Sequence, residues 1–214
     1  ANTGGTRGVC MMKPGILVAA AVLVLFPDFA EAKPAHSTKY TYYTVGGNSA
    51  ESIYKAMLNK GPRVNGAKAY AATTATTRQD GKLMQSKSCR IEDYQLRLDF
   101  VIKLPKIKNE KALASADRER WKQFSSFLKK HEETHRSIWL ECAAEMERKV
   151  RAIKAKSCDE ADAKAEKLWE QTRAACSKKH DAFDLAEQKK LMKHPFVQLV
   201  YKRSSSNTRA AAAQ

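Results

Sequence analysis

The chain has 214 residues, of which 43% are hydrophobic and 29% charged. That is long and apolar enough to bury the core of one domain, and it excludes a wholly disordered polypeptide. Lys and Arg number 39 against 23 Asp and Glu, a formal charge of +16 that favours anionic surroundings such as envelope polymers, lipid head groups or acidic substrates. The basic residues alternate with acidic ones and form no nucleic-acid motif, so nucleic acid is not an expected partner.

In chain order, Ala1 to Cys10 carries no pattern and reads as a leader ahead of a start at Met11 or Met12. Lys13 then opens an apolar run from Ile16 to Phe26, too short to span a bilayer and right for a signal-peptide core. Ala30-Glu31-Ala32 supplies a small-x-small site, so residues 1–32 are predicted to be a signal peptide cleaved after Ala32. No stable transmembrane segment is expected, and the protein should be periplasmic or secreted. The remaining cysteines, Cys89, Cys142, Cys158 and Cys176, are even in number, as suits an oxidising compartment.

The β-branched and aromatic run from Lys39 to Val45 predicts a strand, ended by Gly46-Gly47. Asn48 with Glu51 three residues on marks a helix start, Ile53, Met57 and Leu58 give that helix an apolar face, and Gly61-Pro62 stops it. Ala67 to Arg78 alternates small residues and threonines as a second strand, followed by Asp80-Gly81, a hairpin-turn signal. Leu96, Leu98, Phe100, Ile102 and Leu104 alternate with polar or exposed-type positions as far as Pro105, the clearest strand of the chain. Residues 33–105 should therefore form a small antiparallel sheet with one short helix.

Beyond Pro105 the composition shifts to Ala, Lys, Glu and Arg, with no Gly or Pro before Pro195. Trp121, Phe124, Leu128, His131, His135, Ile138, Cys142, Met146, Val150 and Ile153 recur at helical spacing, with Ser115 as N-cap and Asp117 in the first turn. Within this helix His131-Glu132-Glu133-Thr134-His135 spells H-E-x-x-H. Histidines at i and i+4 share one helix face and can bind one metal ion, and the adjacent glutamate can take a proton from water there. A second helix begins at the capping box Ser157-Cys158-Asp159-Glu160. Its inward stripe is Ala161, Ala165, Leu168, Thr172, Cys176, His180, Phe183, Asp184, Glu187 and Leu191.

A short connection at Lys156-Ser157 makes residues 106–194 an antiparallel helical hairpin, in which residues equidistant from the turn face each other. Cys142 and Cys176 meet on that register, leaving Cys89 for Cys158. Seven residues beyond the Cys142–Cys176 rung, His135 comes level with Phe183 and Asp184; eleven beyond, His131 comes level with Glu187. A catalytic zinc needs a third protein ligand. Asp184 is the first choice, with His180 and Glu187 as alternatives. The apolar segment from His194 to Tyr201 is expected to pack along the sheet, a single domain should run over 33–203, and residues 204–214 form a polar and alanine-rich tail read as disordered.

These motifs resemble the bacterial family of predicted secreted zinc-dependent proteases long catalogued as a domain of unknown function. Tyr40 to Val45 with Asn48 to Pro62 resembles its opening strand and helix, and Cys89 ahead of the strand to Leu104-Pro105 its Cys-strand-Leu-Pro segment. Trp121 to His135 resembles its metal-motif helix, Ser157-Cys158-Asp159 its second cysteine, and Ala182-Phe183-Asp184 its late aromatic-Asp signature. That signature is usually followed by Thr-x-His-Gly, where this chain has Leu185-Ala186-Glu187-Gln188, leaving His180 or His194 as substitutes for the missing histidine.

The expectation is an exported α+β metallohydrolase acting on peptides or proteins, with zinc on His131, His135 and Asp184 and Glu132 as general base. An amidase acting on cell-wall peptides would use the same centre. The rival is a non-catalytic envelope protein with a structural metal and a basic surface that binds anionic polymers.

Overall fold

The computed structural model describes residues 34–64 and 66–200. The apolar run, the cleavage site after Ala32, Tyr201 and the tail from Ser204 lie outside them. The elements in order are β1 (Ala35–Val45), α1 (Ala50–Lys60), β2 (Arg63–Val64), β3 (Ala67–Lys68), β4 (Ala72–Gln85), β5 (Cys89–Ile107), a single 3-10 turn at Glu110–Ala112, α2 (Ser115–Arg151), β6 (Lys154–Ala155) and α3 (Cys158–Lys193). Residues 195–200 are helical as well. The class is α+β, as expected. Among the described residues no helix is long and apolar enough to cross a membrane.

The sheet is mixed and not antiparallel throughout. β5 is its centre: β4 pairs with it antiparallel, whereas β1 runs parallel to it, from Ala35 opposite Arg97 to Val45 opposite Ile107. The path from Val45 to Cys89, through α1 and β4, lets the chain return in the same direction, which alternation along a single strand does not reveal. Leu96, Leu98, Phe100, Ile102 and Leu104 are buried beneath α2, and Arg97, Val101 and Lys103 face outward. The strand does not stop at Pro105 but continues to Ile107. β4 begins only at Ala72, opposite Lys103, so the missing proline N–H costs no bond on that side.

Two other local signals resolve differently from their sequence reading. Asp80-Gly81 is no turn. It lies within β4 at a bulge, where Asp80 pairs with Gln95 and Lys82 with Glu92, so that Gly81 faces two residues, Asp93 and Tyr94. Asp93 takes a positive φ of 54°, and a side chain on Gly81 would press on Tyr94 and Ile91 at about 3 Å. Helix α1 is capped by Ser49, not Asn48. Ser49 accepts from the N–H of Ser52, whose hydroxyl in turn accepts from the Ser49 N–H. Ser115 is the first residue of α2 rather than its cap, and Ala114 before it offers no side-chain bond.

Helix α2 crosses β5 along its length and builds two core clusters. Trp121, Phe124 and Leu128 pack with Ile102, Leu104 and Ile53; Ala143, Met146 and Val150 pack with Leu96, Leu98 and Phe100. The H-E-x-x-H motif falls between them. The segment after α3 joins the core that the start of α2 shares with the sheet: Phe196 stacks on Phe124 with centroids 4.9 Å apart and meets Trp121 edge-on, and Phe196 and Val197 lie in one cluster with Val45 and Ile102. A face of Phe196, Val197 and Val200 at helical spacing finds its apolar partners there.

Disulfides join Cys89 to Cys158 and Cys142 to Cys176, both as the register requires. Contacts from Cys142 to Cys176, His135 to His180 and His131 to Glu187 advance in opposite senses, so α2 and α3 are antiparallel. Ser157 caps α3 by accepting from Glu160 N–H, while the Glu160 carboxylate accepts from Lys156 N–H, one residue earlier than a capping box requires.

One buried carboxylate ties α2 to the sheet. Glu147, 3% exposed, accepts from Leu96 N–H at 2.6 Å and pairs with Arg151, whose guanidinium donates to the Tyr94 carbonyl at 2.7 and 3.0 Å. Glu147→Ala leaves a buried N–H and a guanidinium without their partner, which should cost roughly 2–3 kcal/mol. Urea denaturation checks this against Glu141→Ala, an exposed control expected within about 0.5 kcal/mol of wild type. Equal stability of the two variants would remove Glu147 as a tie.

Candidate metal centre

Between the two cores, one face of α2 meets β4 and α3. His131 and His135 stand one turn apart, and Phe183 from α3 holds both rings, stacked on His131 at 4.8 Å and edge-on to His135 at 5.1 Å. Their Nε2 atoms are 3.1 Å apart. Asp184 Oδ1 lies 3.2 Å from His131 Nε2 and 3.0 Å from His135 Nε2. Three donor atoms from two helices thus form a near-equilateral triangle, and among the described residues these three side chains are the group that could hold a metal ion.

The two alternatives to Asp184 sit behind the histidines. His180 Nδ1 is 2.8 Å from His135 Nδ1, and Glu187 Oε2 is 4.0 Å from His131 Nδ1. Each faces the ring nitrogen turned away from the triangle, the place from which an outer partner sets the tautomer and orientation of a ligating imidazole. Trp139 packs on His180 at 5.0 Å. His194 is not part of the cluster: it packs on Phe124 and Phe127, and its Nδ1 accepts from Phe196 N–H at the start of the last helical segment.

Glu132 lies deeper than either histidine, at 4% exposed. Thr73 on β4 reaches across to it, its hydroxyl 2.8 Å from Glu132 Oε2 and 3.0 Å from the Glu132 carbonyl. Thr73 was not legible as a site residue, because nothing in its alternating strand indicates which helix it will meet. Glu133, the other acid of the motif, turns away and accepts from the Tyr40 hydroxyl on β1 at 2.6 Å. The triangle opens into a cleft of about 830 Å³ whose walls include Thr73, Trp139, Arg173 and Ser177.

The family model described as "Bacterial protein of unknown function (DUF922)" matches residues 40–191, more than half of the chain. The chain belongs to this family. The side chains of the cluster, from Thr73 to Glu187, all fall within the matched region. No curated protein and no solved structure matches the chain.

Burial governs the electrostatics. Desolvation pushes the Glu132 carboxyl up to about 7; the Thr73 hydrogen bond opposes this and the nearby Asp184 charge adds to it. Burial lowers the proton affinity of His131 and His135 despite the opposing pull of Asp184, and that of His180 likewise. Neutral imidazoles are the form in which histidine offers a lone pair.

Because the Glu132 carboxyl holds its proton more tightly folded than unfolded, its protonation stabilises the metal-free protein fully below the unfolded value near 4.5, and that contribution is lost as pH rises through about 7. A glutamine in its place does not ionise. In the presence of chelator, Glu132→Gln should therefore gain on wild type between pH 5 and pH 8 by on the order of 1–3 kcal/mol. Urea denaturation at the two pH values measures it, and the shared histidine titrations cancel in the difference. A variant that tracks wild type at both pH values would show that Glu132 is not desolvated.

Proposed function

We propose that this chain is an exported zinc-dependent metallohydrolase whose substrates are peptides or proteins. The observation that carries this is the convergence of His131 Nε2, His135 Nε2 and Asp184 Oδ1 within 3.2 Å of one another, beside the buried Glu132. Tetrahedral zinc with bonds of about 2.0–2.1 Å holds neighbouring ligand atoms roughly 3.3 Å apart. The triangle fits one face of that tetrahedron without rearrangement. Two imidazoles and one carboxylate are also a donor set typical of catalytic zinc.

Zinc held there supplies Lewis acidity, polarising a carbonyl and acidifying a water. The residues around it do the rest. With its Nδ1 proton given to His180, His135 presents the Nε2 lone pair to the triangle. Phe183 steadies both imidazoles, stacked on His131 and edge-on to His135. Glu132, aimed by Thr73, takes a proton from the attacking water and passes it to the leaving amine. Its raised proton affinity suits both halves of that transfer.

Two features support export: the apolar run with Ala30-Glu31-Ala32, and two disulfides of the kind that persist in oxidising compartments. For a chain of a bacterial family, such a compartment is the periplasm or the exterior. The structural-metal alternative needs four protein ligands. The three-donor cluster, with the alternatives turned to the outer ring nitrogens, favours a centre open to substrate.

Zinc stoichiometry and cleavage of a mixed peptide library by the purified mature protein test the proposal. Glu132→Gln should keep zinc and fold while losing turnover by roughly a hundred- to ten-thousandfold. His135→Ala should lose zinc and activity together. Asp184→Ala should resemble it. Turnover by Glu132→Gln equal to wild type would rule out the peptidase chemistry, and zinc retained in full by Asp184→Ala would remove it from the ligand set.

A further inference from the structure

The cleft at the triangle has two arms that meet at Asp184. The larger follows α3 toward its start, past Arg173, Ser177 and His180, and its wall mixes charges of both signs in Glu170, Arg173 and Asp181. The second, about 600 Å³, follows α3 the other way, from Asp184 to Leu191. The two share His131, Glu132, Asp184, Ala69 and Ala71, so whatever fills the second arm lies next to the reacting centre.

The second arm is apolar where the first is not. Phe127, Leu128 and Leu191 form one wall, Tyr70 and the alanines around it the other. Phe127, Leu191 and Tyr70 are only partly buried by the core behind them and present the rest of their surface to the arm. Apart from the residues shared with the first arm, its charged members are engaged at the edge, Glu187 with Lys190 and Lys68 with the Asn59 carbonyl. Leu185 stands in the same lining, next in sequence to Asp184. At 65% it is the most exposed large apolar side chain among the described residues. A lone exposed leucine on a helix needs no explanation, but one continuous with an apolar recess at a reactive centre extends that recess. A volume of about 600 Å³ lies within the roughly 300–1,000 Å³ of ligand sites.

We infer, building on the peptidase reading above, that this arm is a side-chain subsite. It selects peptides that carry a large apolar residue next to the bond that reacts, and Leu185 closes over that side chain from the rim. The mixed-charge arm takes the chain on the other side of the bond and makes no comparable selection.

Two fluorescein-labelled peptides that differ only in Phe or Ala at one central position test it, first by binding and then by turnover. In zinc-loaded Glu132→Gln protein, fluorescence anisotropy should show the Phe peptide binding about tenfold to a hundredfold more tightly, the gain from burying one large apolar side chain. Leu185→Glu in the same background should narrow that ratio to about threefold or less. Leu185 is exposed, so the fold should survive the change, and circular dichroism confirms it. Wild-type protein should cleave the Phe peptide with the same preference, expressed in KM. Equal binding of the two peptides, or an unchanged ratio in Leu185→Glu, overturns the subsite while any cleavage leaves the peptidase reading standing. Cleavage of neither peptide by zinc-loaded wild type overturns the peptidase reading and the subsite with it.

Discussion

Two antiparallel helices can slide past one another by whole turns with little change in buried apolar area, and everything at the centre of this molecule depends on their not doing so. The Cys142–Cys176 bond is the covalent rung that sets the register. From it, His135 meets His180 and Asp184 two helical turns away, and His131 meets Phe183, Asp184 and Glu187. A slip of one turn, about 5.4 Å, would put a different set of α3 side chains over both histidines. The second bond, Cys89 to Cys158, fastens the near end of the hairpin to the central strand. Helix packing and oxidation thus cooperate: the hydrophobic stripe brings the helices together, and the cysteines choose among the registers that stripe permits.

Much of this was readable along the chain, and the reasons differ from element to element. The long period of α2 and the strict alternation from Leu96 to Leu104 are local signals, and local signals survive folding when one face meets a core. The disulfide pairing and the neighbourhood of His131 and His135 followed from counting residues on two helices. Counting could not separate Asp184 from His180 and Glu187. All three lie within two turns of α3, and successive residues differ by about 100° of rotation, so a small change in crossing geometry decides which one reaches the Nε2 side. The parallel course of β1 was hidden because strand direction depends on the path between strands. Thr73 was hidden for a related reason: its partner lies 59 residues away. Asp80-Gly81 misled because glycine answers two needs, positive φ in a turn and absence of a side chain under a neighbour, and here the second is the operative one.

The candidate centre divides its labour by depth. The two histidines and Asp184 stand at the cleft wall, where an ion and a substrate can reach them, while Glu132 sits behind with its carboxylate steadied by a hydroxyl from the sheet. Desolvation raises its proton affinity, which in the proposed reaction serves to take a proton from water. An isolated helix bearing H-E-x-x-H would offer the two histidines but neither the third donor nor the burial of Glu132. The sheet and the second helix supply what the motif lacks.

On the side of β5 away from β4, β6 covers Cys89 and Arg90 and β1 covers the strand from Arg97 onward, leaving a bare stretch of backbone between them. Glu147 and Arg151 fill it, the carboxylate taking the Leu96 N–H and the guanidinium the Tyr94 carbonyl. Bare strand edges recruit strands from other molecules, and proteins cover them with charge or with other elements. The ion pair of buried Glu147 and exposed Arg151 therefore acts as a stopper against intermolecular β-pairing, placed where the bulge already bends the strand. It is set as soon as α2 docks and does not wait for either cysteine bond. The strand is thereby shielded from self-association even while the thiols are reduced.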